Sequence, residues 1–289
     1  MFWIELFRLR TLPLSLCAVL IGNALAHQEG FFEPKRFVFT LLTAVLLQIL
    51  CNIANDYGDG IRGSDKHRPL NAPKRFAHLP KYRAKVQSAL WGFLLASVVS
   101  GWILLSLLPH ELCLIYLGLG IASLLAALCY TLGKKPYGYH GFGEVSVLLF
   151  FGLVGVVGSY GVQGAPLSFW VFLPALGFGL GCVSVLMINN LRDWENDALA
   201  GKRTLAVQVG IEAYQKMYRI IMWHSLGFWL LYSYHNPRNL LMLLIVYPTY
   251  KQIHQTQSAL MQGKVGKELA CHVRLLCLST FLFLLAHTL

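Results

Sequence analysis

Charge is scarce in this chain. Only 13% of its 289 residues are Asp, Glu, Lys or Arg, where an ordinary soluble domain carries roughly 25%. With 56% hydrophobic residues and a mean hydropathy of +0.56, that shortage excludes a water-soluble globular domain. No polar stretch is long enough for a second, soluble unit, so residues 1–289 are expected to form one membrane-embedded domain. The seven cysteines are odd in number and include no CxxC pair, and the ten histidines show no metal-site spacing. A disulfide framework, a zinc site and a dithiol redox motif find no support there. The cysteines lie in or beside apolar runs, where small hydrophobic residues pack helices.

What is present is a succession of long apolar runs. A spanning helix needs about 20 mostly apolar residues. Nine runs qualify, roughly 11–27, 35–54, 86–108, 112–131, 143–162, 168–189, 217–235, 238–250 and 272–288. The expected fold is all-α, a multi-pass bundle of about nine transmembrane helices in the lipid bilayer. With a cytoplasmic N-terminus, 21 of the 24 Lys and Arg residues fall on the cytoplasmic side; only Lys35, Arg36 and Arg238 do not. This is the positive-inside pattern, and it explains the net charge of +11 without a nucleic-acid partner. Arg8, Arg10 and Ala24-Leu25-Ala26 share the layout of a cleavable signal peptide. Pro13 suits the first turn of a permanent helix, which is the expectation adopted.

Against this background the acids stand out. Thirteen Asp and Glu residues are present, and six fall in two short stretches: Asn55-Asp56-Tyr57-Gly58-Asp59 with Asp65, and Asp193-Trp194-Glu195-Asn196-Asp197. Each stretch closes an apolar run, and carboxylates so near a bilayer are normally kept for an ion or a substrate. Asn55, Asp59 and Gly63 align with Asn189, Asp193 and Asp197, an Asn-x3-Asp-x3 pattern repeated 134 residues on, as an ancient four-helix duplication would leave it. Residues three or four apart share a helix face, so Asn52, Asp56 and Asp59 line up, as do Asn189, Asp193 and Asp197. Two such faces, with Asp65, would present five Asp carboxylates at one mouth of the bundle. Mg²⁺ favours hard oxygen ligands completed by substrate phosphates. Lys66, Arg68, Lys74 and Arg75 follow the first cluster, and Arg192, Lys202 and Arg203 flank the second. Acid, metal and base together suit a diphosphate. Ordinary salt bridges at solvated helix ends are the bland alternative.

The two motifs resemble the aspartate-rich motifs of the UbiA superfamily of intramembrane prenyltransferases. The likeness continues through Arg10-Thr11-Leu12-Pro13, Gly63-Ser64-Asp65, Tyr130-Thr131, Pro136-Tyr137-Gly138-Tyr139, Gly141-Phe142-Gly143-Glu144, Phe150-Phe151-Gly152, Asn189-Asn190-Leu191-Arg192-Asp193 and Gly201-Lys202-Arg203-Thr204-Leu205-Ala206. Within the superfamily it is similar to the branch that prenylates 1,4-dihydroxy-2-naphthoate in menaquinone synthesis. Two departures stand out. Gly63 occupies the place of a third motif Asp, and Asn71-Ala72-Pro73-Lys74-Arg75 only loosely matches the family's Gly-Pro-x-Arg segment.

The resemblance implies an activity. Asp56, Asp59, Asp65, Asp193 and Asp197 are expected to hold Mg²⁺ and with it a polyprenyl diphosphate, Asn55 and Asn189 belonging to the same motifs. Arg192, Lys202 and Arg203 are expected to take up the remaining phosphate charge. The allylic cation would meet aromatic faces, with Tyr130, Tyr139, Phe150, Phe151 and Tyr160 as candidates. In the naphthoate branch the prenyl group replaces a carboxylate lost as CO₂; Arg10 would recognise that carboxylate or anchor its helix at the interface. Glu144 would accept the ring proton or cap a helix. The competing readings are prenylation of another aromatic acceptor, such as 4-hydroxybenzoate, and a cation-coupled transporter. Transport predicts acids near the bilayer midplane, and here they sit at one edge.

Overall fold

The computed structural model describes residues 2–64, 75–261 and 267–288, and among these there is no strand. Asp65 and Lys74, both singled out above, lie outside the described residues. The chain opens with α1 (Phe2–Leu6) and α2 (Leu12–Gln28), then α3 (Pro34–Arg62), α4 (Pro80–Ser106) and α5 (His110–Cys129). A composite helix follows, made of α6 (Gly143–Val147), a π-helical stretch Leu148–Gly158 and α7 (Ser159–Val162). Then come α8 (Phe172–Leu199), α9 (Leu205–Val209), α10 (Ile211–His235), a 3₁₀ stretch Pro237–Ile245, α11 (Val246–Met261) and α12 (Glu268–Thr288).

Prolines start several of these helices, with Pro13, Pro34 and Pro80 in the first turns of α2, α3 and α4, where a missing N–H costs nothing. The Glu33 carboxylate caps α3 by accepting the Arg36 N–H at 2.6 Å. At the other end α3 stops at Gly63, whose φ of 78° is left-handed and whose N–H returns to the Asp59 carbonyl. Glycine suits that conformation. The residue at position 63 thus serves as the end of α3, in a conformation glycine takes at the least cost.

Among the described residues, seven helices are long and apolar enough to cross a membrane, and the protein is an integral membrane protein. The expected spans at 217–235 and 238–250 fall in α10 and in 237–261. Both regions are helical, but α10 carries Glu212, Lys216 and Arg219, and the second is divided between 3₁₀ and α-helix. The polar residues from Lys251 onward continue α11 as helix to Met261.

α8 is the most enclosed of the seven. It lies against the π-helical stretch at Gly179 and Gly152, where an added Cβ on either would come within 2.8 Å of the other helix's backbone. Small residues let helices approach this closely where lipid supplies no hydrophobic drive between them. One core, built around Cys17, Ile21, Phe178, Trp229 and Phe283, joins α2, α8, α10 and α12; another, around Leu50, Ile53 and Val86, joins α3 and α4.

The end of the bundle opposite the acids is fastened by polar groups. Gln163 donates to the Asn23 carbonyl oxygen at 2.6 Å and accepts the Glu33 N–H at 2.7 Å, and Arg36 donates to the Leu107 carbonyl at 3.0 Å. Tyr160 belongs to this end. Fully buried, it donates to Glu29 and, at 2.7 Å, to the Pro166 carbonyl, which removes it from the aromatic candidates at the acidic mouth. Phe151 packs on the α2–α8 core.

Candidate active site

Helix length brings the acids to the mouth. α3 has 29 residues and α8 has 28, about 43 and 42 Å at 1.5 Å per residue, against a hydrocarbon core of about 30 Å. Both overshoot the apolar slab by about two turns, and the final turns carry Asp56, Asp59, Asp193 and Asp197.

Asp59 and Asp197 come together. Lys202 Nζ lies 3.8 Å from Asp59 Oδ1 and 3.9 Å from Asp197 Oδ1, so a single ammonium bridges the ends of α3 and α8. The backbone places it there: the Lys202 N–H donates to the Asp197 carbonyl at 2.8 Å, and the Arg203 N–H to the Tyr139 carbonyl at 3.1 Å. Asn196 reinforces the join by donating to the Ser64 carbonyl at 3.0 Å. Both carboxylates are buried, and charges so placed require partners.

Tyr139 is the third wall. Its hydroxyl donates to Asp59 Oδ1 at 2.7 Å and lies 2.6 Å from Ser64 Oγ. The Arg62 guanidinium and Lys202 Nζ lie 5.2 and 5.1 Å from its ring centroid, within cation–π range. Burial, and then the Asp59 charge, push the phenol above its ordinary pKa, so it stays a neutral donor. Arg75 approaches Asp59 from the other side, Nη2 to Oδ2 at 4.0 Å.

The other predicted residues are distributed around this centre. Asp193 takes a two-pronged contact from Arg192, at 2.8 and 2.7 Å, and Arg192 also donates to Asn189. Asn55 accepts from Thr131 Oγ1 at 3.3 Å. The Asp56 carboxylate accepts backbone N–H groups from Phe76 and Ala77. Arg203 and Arg10 are exposed at this end. Among the described residues no three carboxylates, thiols or imidazoles gather as a metal cluster. Of the five expected carboxylates, Asp59 and Asp197 share a partner, Asp56 and Asp193 each meet groups of their own, and Asp65 lies outside the described residues.

Sequence reasoning missed several residues. Arg8, half-buried, brings positive charge to Asp56; its only signal was its proximity to Arg10 in sequence. Glu144 accepts from Asn190 at 2.9 Å and from Tyr214, both on Oε1. Nothing near Tyr214 in the chain marks it as polar machinery. Tyr130, just past α5, is within electrostatic reach of Glu144 and of Asp59; burial first, and then the Glu144 charge, raise its phenol pKa.

Two aspartate-bearing helix ends, joined through a lysine and a tyrosine at one mouth of an all-helical bundle, are matched by one family. The UbiA prenyltransferase family model covers residues 15–286. The chain belongs to that family. A 1,4-dihydroxy-2-naphthoate octaprenyltransferase of Haemophilus influenzae is 45% identical over 216 residues, covering 72% of this chain and 69% of the relative. One of the same name from Escherichia coli is 41% identical over 210 residues, covering 72% and 68%. The UbiA fold is shared with a UbiA homolog from Archaeoglobus fulgidus solved with GPP and Mg²⁺, with a TM-score of 0.68 at 15% identity and full coverage of both chains.

Proposed function

We propose that this UbiA-family enzyme transfers a polyprenyl group from polyprenyl diphosphate to 1,4-dihydroxy-2-naphthoate, with loss of CO₂ and diphosphate, giving demethylmenaquinol. The observation that carries the reading is the Asp59–Lys202–Asp197 bridge, in a chain 41–45% identical to naphthoate prenyltransferases.

The donor set fits Mg²⁺. Asp59 and Asp197 are hard oxygen donors on opposite helices, each within 4 Å of one cationic atom. Two carboxylates plus substrate phosphates are a usual arrangement for this ion. Asp193, one helical turn before Asp197 on α8, would be a further ligand on release of its Arg192 side-chain partner, and Asp65 follows α3 in sequence. When bound, the ion supplies Lewis-acid neutralisation of the diphosphate leaving group.

The residues of the chain account for the rest. Lys202, Arg192, Arg203 and Arg75 hold the phosphate oxygens, and Tyr139 orients Asp59 through its hydroxyl. The rings of Tyr139 and Tyr130 face the allylic carbon as charge develops on it. Glu144 takes the acceptor's proton on Oε2, since both of its observed bonds fall on Oε1. Arg10 meets the acceptor carboxylate at the open edge of the mouth. The positive-inside pattern supports a cytoplasmic mouth, and the bacterial relatives support a bacterial inner membrane.

The test uses protein purified in detergent or lipid, with Mg²⁺, a polyprenyl diphosphate, and 1,4-dihydroxy-2-naphthoate and 4-hydroxybenzoate offered in parallel. A prenylated naphthol with stoichiometric CO₂, lost on EDTA treatment and restored by Mg²⁺, is expected. Product from 4-hydroxybenzoate alone would overturn the acceptor assignment.

A further inference from the structure

We propose that Asp56 is a positioning residue that clamps the segment 75–79 against α3 and thereby aims Arg75 at the diphosphate. The proposal rests on the prenyl-diphosphate reading above and revises the place of Asp56 among the metal ligands. Asp56 and Asp59 sit three residues apart on one face of α3, yet they hold different things. Asp56 Oδ1 accepts the Ala77 N–H at 2.8 Å, and both of its oxygens lie 3.1 Å from the Phe76 nitrogen. The side chain is buried and only 2% exposed. A carboxylate whose two oxygens both receive backbone N–H groups is a charge-assisted cap, and little of it is left to face a metal shared with Asp197.

The segment it grips passes unusually close to the helix. A Cβ on Gly60 would come within 2.7 Å of the Ala77 carbonyl carbon and the His78 nitrogen, so only glycine admits the segment at this height. Further contacts hold its far side. Phe76 packs on Phe2 and Tyr82, with ring centroids 4.6 and 5.5 Å apart, and Arg83 donates to the Ala77 carbonyl at 3.4 Å. The residue immediately before the clamped amides is Arg75, whose guanidinium reaches Asp59. Fixing the Phe76 and Ala77 amides on Asp56 therefore fixes where the Arg75 side chain begins, one helical turn from the carboxylate that faces Lys202. Asp59 acts on the reacting groups, and Asp56 acts through Arg75.

The two roles separate experimentally in the full-length protein. Hydrogen exchange at the Phe76 and Ala77 amides is followed by mass spectrometry. In parallel, the KM for polyprenyl diphosphate and the Mg²⁺ half-saturation are measured, each with the other component saturating. Asp56→Ala is expected to speed exchange at these amides by at least about tenfold, the equivalent of one charged hydrogen bond. It is also expected to raise the donor KM about fivefold or more, leaving Mg²⁺ half-saturation within about twofold, as lost positioning of one phosphate ligand predicts. Arg75→Gln should reproduce the KM rise with wild-type exchange, and Asp59→Asn should instead raise the Mg²⁺ requirement. Asp56→Asn keeps one acceptor oxygen and should fall between wild type and Asp56→Ala; it carries the same test if the alanine variant fails to accumulate. A Mg²⁺ requirement in Asp56→Ala matching that of Asp59→Asn, with exchange at 76 and 77 unchanged, overturns the proposal. Fast exchange with an unchanged donor KM overturns the link to Arg75. If the wild-type protein prenylates neither acceptor, the functional reading fails, while the exchange data still decide whether Asp56 holds the segment.

Discussion

Replacing Asp59 by Asn keeps the shape of the site and removes one charge from its centre. The Asp59 carboxylate faces Lys202 at 3.8 Å, Arg75 at 4.0 Å and the Tyr139 hydroxyl at 2.7 Å. A unit charge acting across about 4 Å at an effective dielectric of about 20 is worth roughly 4 kcal/mol gross. Loss of a preorganised electrostatic partner typically removes about 10²–10³ in kcat. Asn retains an oxygen for Tyr139, so the folding cost should stay near about 1 kcal/mol. The expected outcome is a fall in prenyl transfer of at least about 10²-fold at saturating Mg²⁺, with the variant still membrane-inserted and its melting point shifted by only a few degrees. The assay is product formation from polyprenyl diphosphate and 1,4-dihydroxy-2-naphthoate across a Mg²⁺ titration, with thermal unfolding followed on the same preparations. Turnover within about fivefold of wild type, a loss of only ~1 kcal/mol, would refute the assignment of Asp59 to the metal and diphosphate.

Other substitutions test neighbouring parts of the argument. Asp193→Ala should abolish Mg²⁺-dependent turnover while the protein remains inserted, as metal titration of membrane fractions would show. Tyr139→Phe deletes one hydrogen bond to a charged group and should lower kcat by about tenfold, without changing the acceptor KM. Its pH behaviour adds a check. The raised Tyr139 phenol contributes stability that is complete below its ordinary pKa of 10.0 and declines as pH climbs above it, so thermal melts between pH 9 and 11 should slope less in Tyr139→Phe. Glu144→Gln preserves the Oε1 acceptor for Asn190 and Tyr214 but removes the base, and should reduce kcat by about 10² or more with donor KM intact. Gly63→Ala, at φ 78°, should destabilise the protein by about 1 kcal/mol, read as a lower melting temperature.

Much of this architecture is legible in one dimension because the bilayer imposes one-dimensional demands. An apolar run must be long enough to span, and its backbone must satisfy itself as helix, so composition alone indicates an all-helical membrane bundle. Acids that close such runs mark a mouth, and the Asn-x3-Asp-x3 spacing on α3 and α8 sets which side chains share a face. The resemblance carried by those residues agrees with the family match over 15–286. Marginal spans are harder to read, because length and mean hydropathy do not reveal that α10 buries a tyrosine-rich face while its charges stay exposed, or that the helix at 237–245 begins as 3₁₀.

The tertiary structure decided which acid does what. Four aspartates of the same chemistry close α3 and α8, yet their carboxylates meet different groups: backbone amides for Asp56, a lysine and a tyrosine for Asp59, an arginine for Asp193, and the shared lysine for Asp197. No spacing rule separates Asp56 from Asp59, because their partners arrive from segments 20 or more residues away, whereas Arg192 and Lys202 lie close in sequence to Asp193 and Asp197. Tyr160 and Tyr139 are both tyrosines beside family-like motifs; one lies at the opposite end of the bundle and the other on Asp59. Helical periodicity determines the face a residue occupies, and the sequence by itself determined those faces. What stands opposite each face depends on how helices cross and where loops return, and long-range packing alone decided that.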